Sequence, residues 1–221
     1  DSDPLKLLYV GDFSTNKNLI TTIRAAEGLN ARSPTALTLV GGGGDGEKEV
    51  DALLRTGAYP FVTRLPRVHE RDRLAAIYRT HDIFVMPSFH ETFGVVYIEA
   101  LSQGLPIVHT RGQGVDGYFA PNTVAEAADP NDIASVQSAV TNLATRLDAV
   151  RQECVEAARA FGWPRVAQTY ADLYRDAVAG GHGDLPGGGG LAGAAGARSE
   201  PPLTALVATD ATATRALLAD A

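Results

Sequence analysis

Cysteine is almost missing from this sequence, which has one, Cys154, in 221 residues. A single cysteine cannot form a disulfide within the chain, so the sequence excludes a disulfide-stabilised secreted fold and predicts a cytoplasmic setting. Long apolar runs are missing too. No segment approaches the roughly 18 consecutive apolar residues that a membrane-spanning helix requires.

Positive charge is in short supply: 19 Lys and Arg residues face 26 Asp and Glu residues, which leaves a net charge of -7. A chain of this charge does not attract the phosphate backbone of nucleic acids, so no nucleic-acid partner is predicted. An apolar content of 45% and a charged content of 20% are typical of a globular domain. The length is enough for one domain with a sizeable core and a tail.

Strand-like and helix-like segments alternate along the first half of the chain. The apolar runs are continuous rather than alternating, which is typical of strands that are buried on both faces. Such alternation favours right-handed crossovers and a parallel sheet, so we predict a doubly wound α/β domain with a Rossmann-like sheet. Strands are expected at 6–11, 36–42, 59–65, 82–88 and 105–110, and helices at 16–30, 47–57, 70–80 and around Glu99.

Beyond residue 130 the pattern becomes helical, with helices predicted at 131–147, 148–161 and 165–178, the last just after Trp163-Pro164. We therefore place one domain at 1–179. The composition then changes abruptly. Residues 180–202 are rich in glycine, alanine and proline and are predicted to be a flexible linker, and residues 203–221 a weakly helical tail without an assigned role.

The run "LVGGGGDG" matches G-x-G-x-x-G at Gly41, Gly43 and Gly46, between a predicted strand and a predicted helix. This is the context of a dinucleotide-binding fingerprint, so an NAD(P)-dependent oxidoreductase is one alternative. However, the run follows the second strand rather than the first. The next strand ends in Arg64-Leu65-Pro66, without the acidic residue expected about 20 positions on. A tight turn beside some other ligand is favoured.

Lys17 lies in the turn "GDFSTNKN", which follows the first predicted strand. Open α/β sheets bind ligands at the carboxyl ends of their strands, where helix N-termini supply free N–H groups and partial positive charge. A lysine at that place suits a phosphate group. The alternative is an ordinary exposed lysine in the first turn of a helix.

The segment "FHETFGVVYIEA" carries two carboxylates on an apolar background, Glu91 in a loop and Glu99 in a helix. Side chains tilt toward the N-terminus of a helix, so Glu99 leans back toward the helix start and Glu91 stands over the same place. Gly94 allows a ligand to approach the backbone closely. Amides suit phosphate and carboxylates suit hydroxyls, so the segment predicts a sugar nucleotide as the ligand. Two solvated surface acids are the alternative.

The spacing E-x7-E, followed by "ALSQGLPIV", resembles the signature of the family 4 retaining glycosyltransferases, which have the two-domain GT-B fold. The similarity continues in order through "YVGDFSTNKNL", "LTLVGGGG", "LAAIYRTHDIFVMPS", "GLPIVHTRGQGVDGYF" and "FGWPRVAQTYADLY". It covers about residues 5–178. The resemblance implies the C-terminal, donor-binding half of such an enzyme.

This resemblance also implies roles for individual residues. Glu91 would hold hydroxyls of the transferred sugar and, together with Lys17 on the diphosphate, carry the catalytic role. Glu99 would hold the ribose hydroxyls. The remaining donor-binding residues implied are Gly11, the backbone amides of Phe93, Gly94 and Val95, the base contacts Arg64, Leu65 and Val68, and Arg111 beside the diphosphate. The substrate would be a UDP- or GDP-sugar, with no cofactor and no metal.

The sequence departs from the family pattern in two ways. Asp12 follows the glycine of the first strand, where many members have an arginine. The N-terminal domain that binds the acceptor is expected to be absent, so the chain would be one domain of a longer protein, a truncated gene product or one half of a split enzyme. The acceptor would be a glycan, a lipid or another small molecule. Contact with a membrane surface through that domain stays open, as does a role as a nucleotide-sugar-binding module without catalysis.

Overall fold

The computed structural model describes residues 3–179, in which six parallel strands form one sheet with the order β3-β2-β1-β4-β5-β6. This arrangement confirms the predicted doubly wound α/β sheet. The linker predicted at 180–202 and the tail predicted at 203–221 lie outside the described residues. The strands are β1 (Leu5–Gly11), β2 (Thr35–Gly41), β3 (Val62–Leu65), β4 (Ile83–Val85), β5 (Ile107–Thr110) and β6 (Ala125–Ala128).

The sheet is covered on both faces, as its apolar strands require. In the central strand β1, the consecutive residues Leu7, Leu8 and Tyr9 are all buried, although neighbouring side chains point to opposite faces of a sheet. Helix α1 packs against α5, and α4 packs against α6. The helices are α1 (Leu19–Asn30), α2 (Glu47–Arg55), α3 (Arg71–Arg79), α4 (Val95–Ser102), α5 (Ile133–Ala144), α6 (Leu147–Arg159) and α7 (Trp163–Ala179).

Several elements differ from the sequence prediction, three of them for identifiable reasons. The helix expected at 16–30 begins only at Leu19, because Asn18 adopts the left-handed conformation with φ 56° and separates α1 from a short 3-10 turn, Thr15–Lys17. Strand β4 ends at Val85, just before the Met86-Pro87 segment that was expected to continue it. Strand β6 was missed because its sequence, AEAA, contains no β-branched or aromatic residue.

The strand order reverses between β1 and β4, which are neighbours in the sheet although two strands separate them in sequence. At such a switch point the connections that leave the two strands diverge, and a crevice opens at their carboxyl ends. The loops that border this crevice are 12–18, after β1, and 86–94, after β4. Within residues 3–179, no helix combines the length and the apolar character needed to cross a membrane.

Candidate functional site

The two loops at the switch point are joined by an ion pair between predicted site residues. Lys17 Nζ lies 2.8 Å from Glu91 Oε2. Lys17 is the last residue of the 3-10 turn after β1, and Glu91 lies four residues before α4. Asn18 fixes the start of α1 against the second loop, because its Nδ2 donates to the carbonyl oxygen of Pro87 at 3.0 Å. The fold thus brings the two predicted catalytic residues together.

The N-terminus of α4 lies beside Glu91 and is open to a ligand. Its N-cap residue, Gly94, adopts a left-handed conformation with φ 83° and has no side chain to bond the first amides of the helix. Phe93 is buried, with its ring 5.7 Å from those of Tyr118 and Phe161, so it anchors the turn that carries these amides. Val95, in contrast, is 40% exposed. The amides predicted for the ligand therefore stand on a rigid support.

Glu99 lies one helical turn further along α4 and keeps much of its surface open to solvent. Its Oε2 accepts a hydrogen bond from the buried Tyr78 hydroxyl at 3.3 Å. Desolvation nevertheless raises the pKa of the Glu99 carboxyl, and the hydrogen bond from Tyr78 only partly offsets this. Glu99 therefore lies against α3, where the neighbouring protein reduces its contact with water without removing it.

Asp12, at the position where the family often has an arginine, builds the turn after β1. Its Oδ1 accepts a hydrogen bond from the Ser14 amide at 2.9 Å, and its carbonyl oxygen accepts one from the buried Tyr9 hydroxyl. Desolvation acts to raise the pKa of Asp12, but the bonds from Ser14 and the charges of Lys17 and Arg67 outweigh it and lower the pKa. Asp12 therefore contributes a negative charge beside Lys17.

The glycine run packs the loop after β2 against the loop after β1. A Cβ atom on Gly41 would lie 1.8 Å from the carbonyl oxygen of Gly11, and one on Gly44 would lie 2.6 Å from the Ser14 amide nitrogen. The Phe13 amide donates to the Gly43 carbonyl at 2.7 Å. These glycines thus bring the two loops into contact, and Gly11 ends β1 at the rim of the crevice.

The predicted base contacts have partners inside the domain. Arg64 forms ion pairs with Glu47 and Asp51 of α2, and its guanidinium carbon lies 4.9 Å from the centre of the Phe13 ring. Leu65 and Val68 are half-buried and pack against the core. Arg64 therefore connects α2 with Phe13 in the loop after β1.

The structure gives Arg111 and Arg67 different surroundings. Arg111 Nη2 donates to the carbonyl oxygen of Ala127 in β6 at 3.3 Å, so its guanidinium is directed to the outer strand. Arg67 Nη2 donates to the Gly42 carbonyl at 3.2 Å, and its charge acts on Asp12. Arg67 is therefore a further cation whose charge acts on the turn after β1, and the role of Arg111 beside the diphosphate stays a prediction.

Sequence analysis missed four residues that shape the site: Asn16, Arg67, Tyr78 and Gln113. Asn16 and Gln113 bond the backbone of the loop that carries Glu91, and Tyr78 bonds Glu99. Their partners lie between 21 and 74 positions away, so only the fold reveals them. The one available signal was for Tyr78, because its spacing from Leu74 and Ile77 places the three residues on one apolar face of the helix predicted at 70–80.

The site combines one lysine, uncapped helix amides and the carboxylate of Glu91 at the switch point, with the carboxylate of Glu99 one turn further along α4. Amides and lysine bind anionic oxygens, and carboxylates accept hydrogen bonds from hydroxyl groups. Among residues 3–179, no group of three or more His, Cys, Asp and Glu side chains is placed to hold a metal ion. The arrangement suits a ligand that has both phosphates and hydroxyls.

Comparison with known proteins identifies a family. The model of the family described as "Glycosyl transferases group 1" matches residues 1–161. The chain is 34% identical over 188 residues to D-inositol 3-phosphate glycosyltransferase 2 of Catenulispora acidiphila, an alignment that covers 80% of this chain and 44% of the relative. It is 30% identical over 188 residues to the D-inositol 3-phosphate glycosyltransferase of Paenarthrobacter aurescens, covering 80% and 45% of the two proteins.

Among solved structures, sucrose-phosphate synthase from Thermosynechococcus elongatus superposes with a TM-score of 0.68 at 25% sequence identity. The superposition covers 80% of this chain and 46% of the synthase. The chain therefore spans less than half the length of the proteins that it matches.

Proposed function

This chain belongs to the glycosyl transferases group 1 family, and we propose that it is the donor-binding half of a retaining glycosyltransferase. The proposed donor is a UDP- or GDP-sugar, from which a hexose is transferred. The observation that carries the proposal is the 2.8 Å pair of Lys17 and Glu91, which lies at the switch point beside the open N-terminus of α4.

In the proposed complex the diphosphate binds between Lys17 and the first amides of α4. A lysine has three N–H donors, so Lys17 can keep its bond to Glu91 and still donate to phosphate oxygens. Negative charge develops on the leaving diphosphate as its bond to the sugar breaks. Lys17 and the partial positive charge of the helix end stabilise that charge, so we propose that no metal is required.

The two carboxylates divide the hydroxyl groups of the donor between them. Glu91 has a second oxygen, Oε1, beside the one that binds Lys17, and it would accept hydrogen bonds from the transferred sugar. Glu99 would accept bonds from the ribose hydroxyls. The position of Glu99 fits this role, because its side chain is open to solvent and only one of its oxygens accepts a bond from Tyr78.

The acceptor and the remaining half of the enzyme are also proposals. The relatives are named for D-inositol 3-phosphate, which makes a phosphorylated polyol the first acceptor to test, before glycans, lipids and other small molecules. The acceptor would bind to a separate N-terminal domain, which supplies the opposite wall of the cleft. Any contact with a membrane surface would also be made through that domain.

Calorimetry with a panel of UDP, GDP, their sugar conjugates and NAD(P) tests the donor proposal. We expect binding of one nucleoside diphosphate and of its sugar conjugate, with unchanged affinity after EDTA treatment. Binding of NAD(P) in place of both diphosphates would contradict the proposal and favour the oxidoreductase alternative. Loss of binding in EDTA would contradict metal independence alone.

A further inference from the structure

The loop that carries Glu91 is hydrogen-bonded at every backbone polar group of residues 90 and 91. His90 N donates to Asn16 Oδ1 at 3.0 Å, and His90 O accepts from Asn16 Nδ2 at 2.9 Å. Glu91 N donates to Gln113 Oε1 at 2.9 Å, and Glu91 O accepts from Gly114 N at 3.0 Å. Partners from two other loops thus replace those that a strand or helix would provide.

Gln113 approaches Glu91 closely because of the turn in which it lies. Gly112 and Gly114 on either side have φ values of 75° and 56°, in the left-handed region that glycine adopts readily. A Cβ atom on Gly114 would lie 3.0 Å from Glu91 Cγ. The turn after β5 therefore contacts the Glu91 side chain as well as its backbone.

Asn16 holds the same loop from the opposite side. In addition to its two side-chain bonds, its carbonyl oxygen accepts a hydrogen bond from Phe89 N at 2.8 Å. Lys17, the next residue, then bonds the Glu91 carboxylate itself. The position of Glu91 thus depends on the loop after β1 and on the loop after β5.

We infer that Asn16 and Gln113 are positioning residues, which hold the Glu91 carboxylate where it meets the sugar of the donor. The inference rests on the proposed function. A carboxylate on a loosely held loop would still pair with Lys17, but its free oxygen would not stay in place for the sugar hydroxyls. Both side chains are uncharged amides, so they satisfy the backbone without adding charge beside Glu91.

Gln113→Met tests the inference most directly, since methionine keeps the length of the side chain and removes the acceptor for Glu91 N. Affinities for the nucleoside diphosphate that the unmodified chain binds, UDP or GDP, and for its sugar conjugate are measured by calorimetry. We expect the ratio of the affinity for the sugar conjugate to the affinity for the nucleotide to fall by about 5- to 10-fold, as for one lost hydrogen bond. Affinity for the nucleotide alone stays unchanged.

Two further variants make the result specific. Gln113→Glu keeps an oxygen acceptor for Glu91 N at the same distance but adds a charge beside Glu91, so we expect it to restore part of the lost discrimination. Gln103→Met is the matched control, because the Gln103 side chain bonds Arg79 and Ser102 near the end of α4 rather than the loop that carries Glu91. A similar loss in Gln103→Met, or none in Gln113→Met, would overturn the inference.

Hydrogen exchange of the Glu91 amide separates this inference from the proposed function, since it needs no ligand. We expect exchange to become at least about tenfold faster in Gln113→Met and to stay slow in Gln113→Glu. If the unmodified chain bound neither nucleotide, the proposed function would fail while the exchange result still reported on the positioning of Glu91. Unchanged exchange in Gln113→Met would overturn the positioning role by itself.

Discussion

Lys17 Nζ lies 2.8 Å from Glu91 Oε2, and this ion pair joins residues that are 74 positions apart. The Lys17 side chain exposes 21% of its surface and the Glu91 side chain 10%, so water and salt screen the pair only in part. The pair holds the lysine in place before any ligand arrives. Binding of a diphosphate would then cost less conformational entropy than it would if the lysine moved freely.

Replacing Lys17 with methionine removes this charge while keeping most of the side chain. We expect the affinity for the nucleoside diphosphate to fall by about 1.5–3 kcal/mol, as for a hydrogen bond to a charged group. Calorimetry measures the change, with Lys48→Met on α2 as the control for loss of an exposed lysine. Equal affinities in the unmodified chain and Lys17→Met would contradict the diphosphate assignment.

Glu99→Ala and Glu91→Ala are expected to differ in what they weaken. Glu99→Ala removes the acceptor for the ribose hydroxyls and weakens binding of the free nucleotide by about 2–3 kcal/mol. Glu91→Ala leaves the affinity for the free nucleotide unchanged and lowers only the affinity for its sugar conjugate. Calorimetric titration of both ligands into both variants distinguishes the roles, and the same pattern in the two variants would show that the carboxylates are not divided as proposed.

The raised pKa of Glu99 predicts that ionising this carboxyl destabilises the folded domain. The destabilisation is full above the raised pKa and vanishes below the ordinary pKa of a glutamate, because the folded state then no longer binds extra protons. Glu99→Gln should therefore raise the melting temperature at neutral pH and leave it nearly unchanged near pH 3.5. The corresponding gain in the free energy of unfolding should stay below about 1 kcal/mol, because solvent reaches the side chain.

Thermal melts from pH 3.5 to 8 test this pH dependence. Glu27→Gln, at an exposed position of α1, controls for the loss of one surface charge. A gain in melting temperature that grows toward low pH would have the wrong sign and would reject the prediction.

Gly94→Ala tests whether the start of α4 needs glycine for packing as well as for its backbone angles. An added Cβ would lie 2.4 Å from the ring of Tyr97, which is buried. Gly57 has a similar φ, 73° against 83°, but open space around it, so Gly57→Ala measures the backbone cost alone. We expect Gly57→Ala to lose about 1 kcal/mol of unfolding free energy and Gly94→Ala about 1–3 kcal/mol more. Equal losses in a urea titration would show that Tyr97 moves aside freely.

This chain alone is expected not to glycosylate an acceptor, because the proposed reaction needs a second wall that positions the acceptor. Such positioning lowers a barrier by several kcal/mol, and by about 7–11 kcal/mol in well-oriented systems. The test incubates labelled donor with D-inositol 3-phosphate and with glycan and lipid acceptors, with and without the N-terminal half of a relative. Comparable transfer in both would contradict the expectation, and no transfer in either would favour a binding module.

The order of the elements from β1 to β5 was predictable from the sequence, and so were the candidate site residues around α4. Continuous apolar runs such as "KLLYVG" and "LTLVGG" specify strands buried on both faces, and the helical segments between them specify a parallel sheet. Glu91, Gly94 and Glu99 were recognisable because their spacing is local, within eight positions of one another. A spacing this short can be read from the sequence without knowledge of the fold.

Only the tertiary structure decided which distant residues meet at the site. The reversal of strand order between β1 and β4 places Asn16 and Lys17 against the loop of Glu91, and the neighbouring strand β5 brings Gln113 to the same loop. It also directed Arg111 toward β6 and brought Arg67 beside Asp12. These contacts join parts of the chain that no periodicity relates, because the folded sheet sets the distances between its loops.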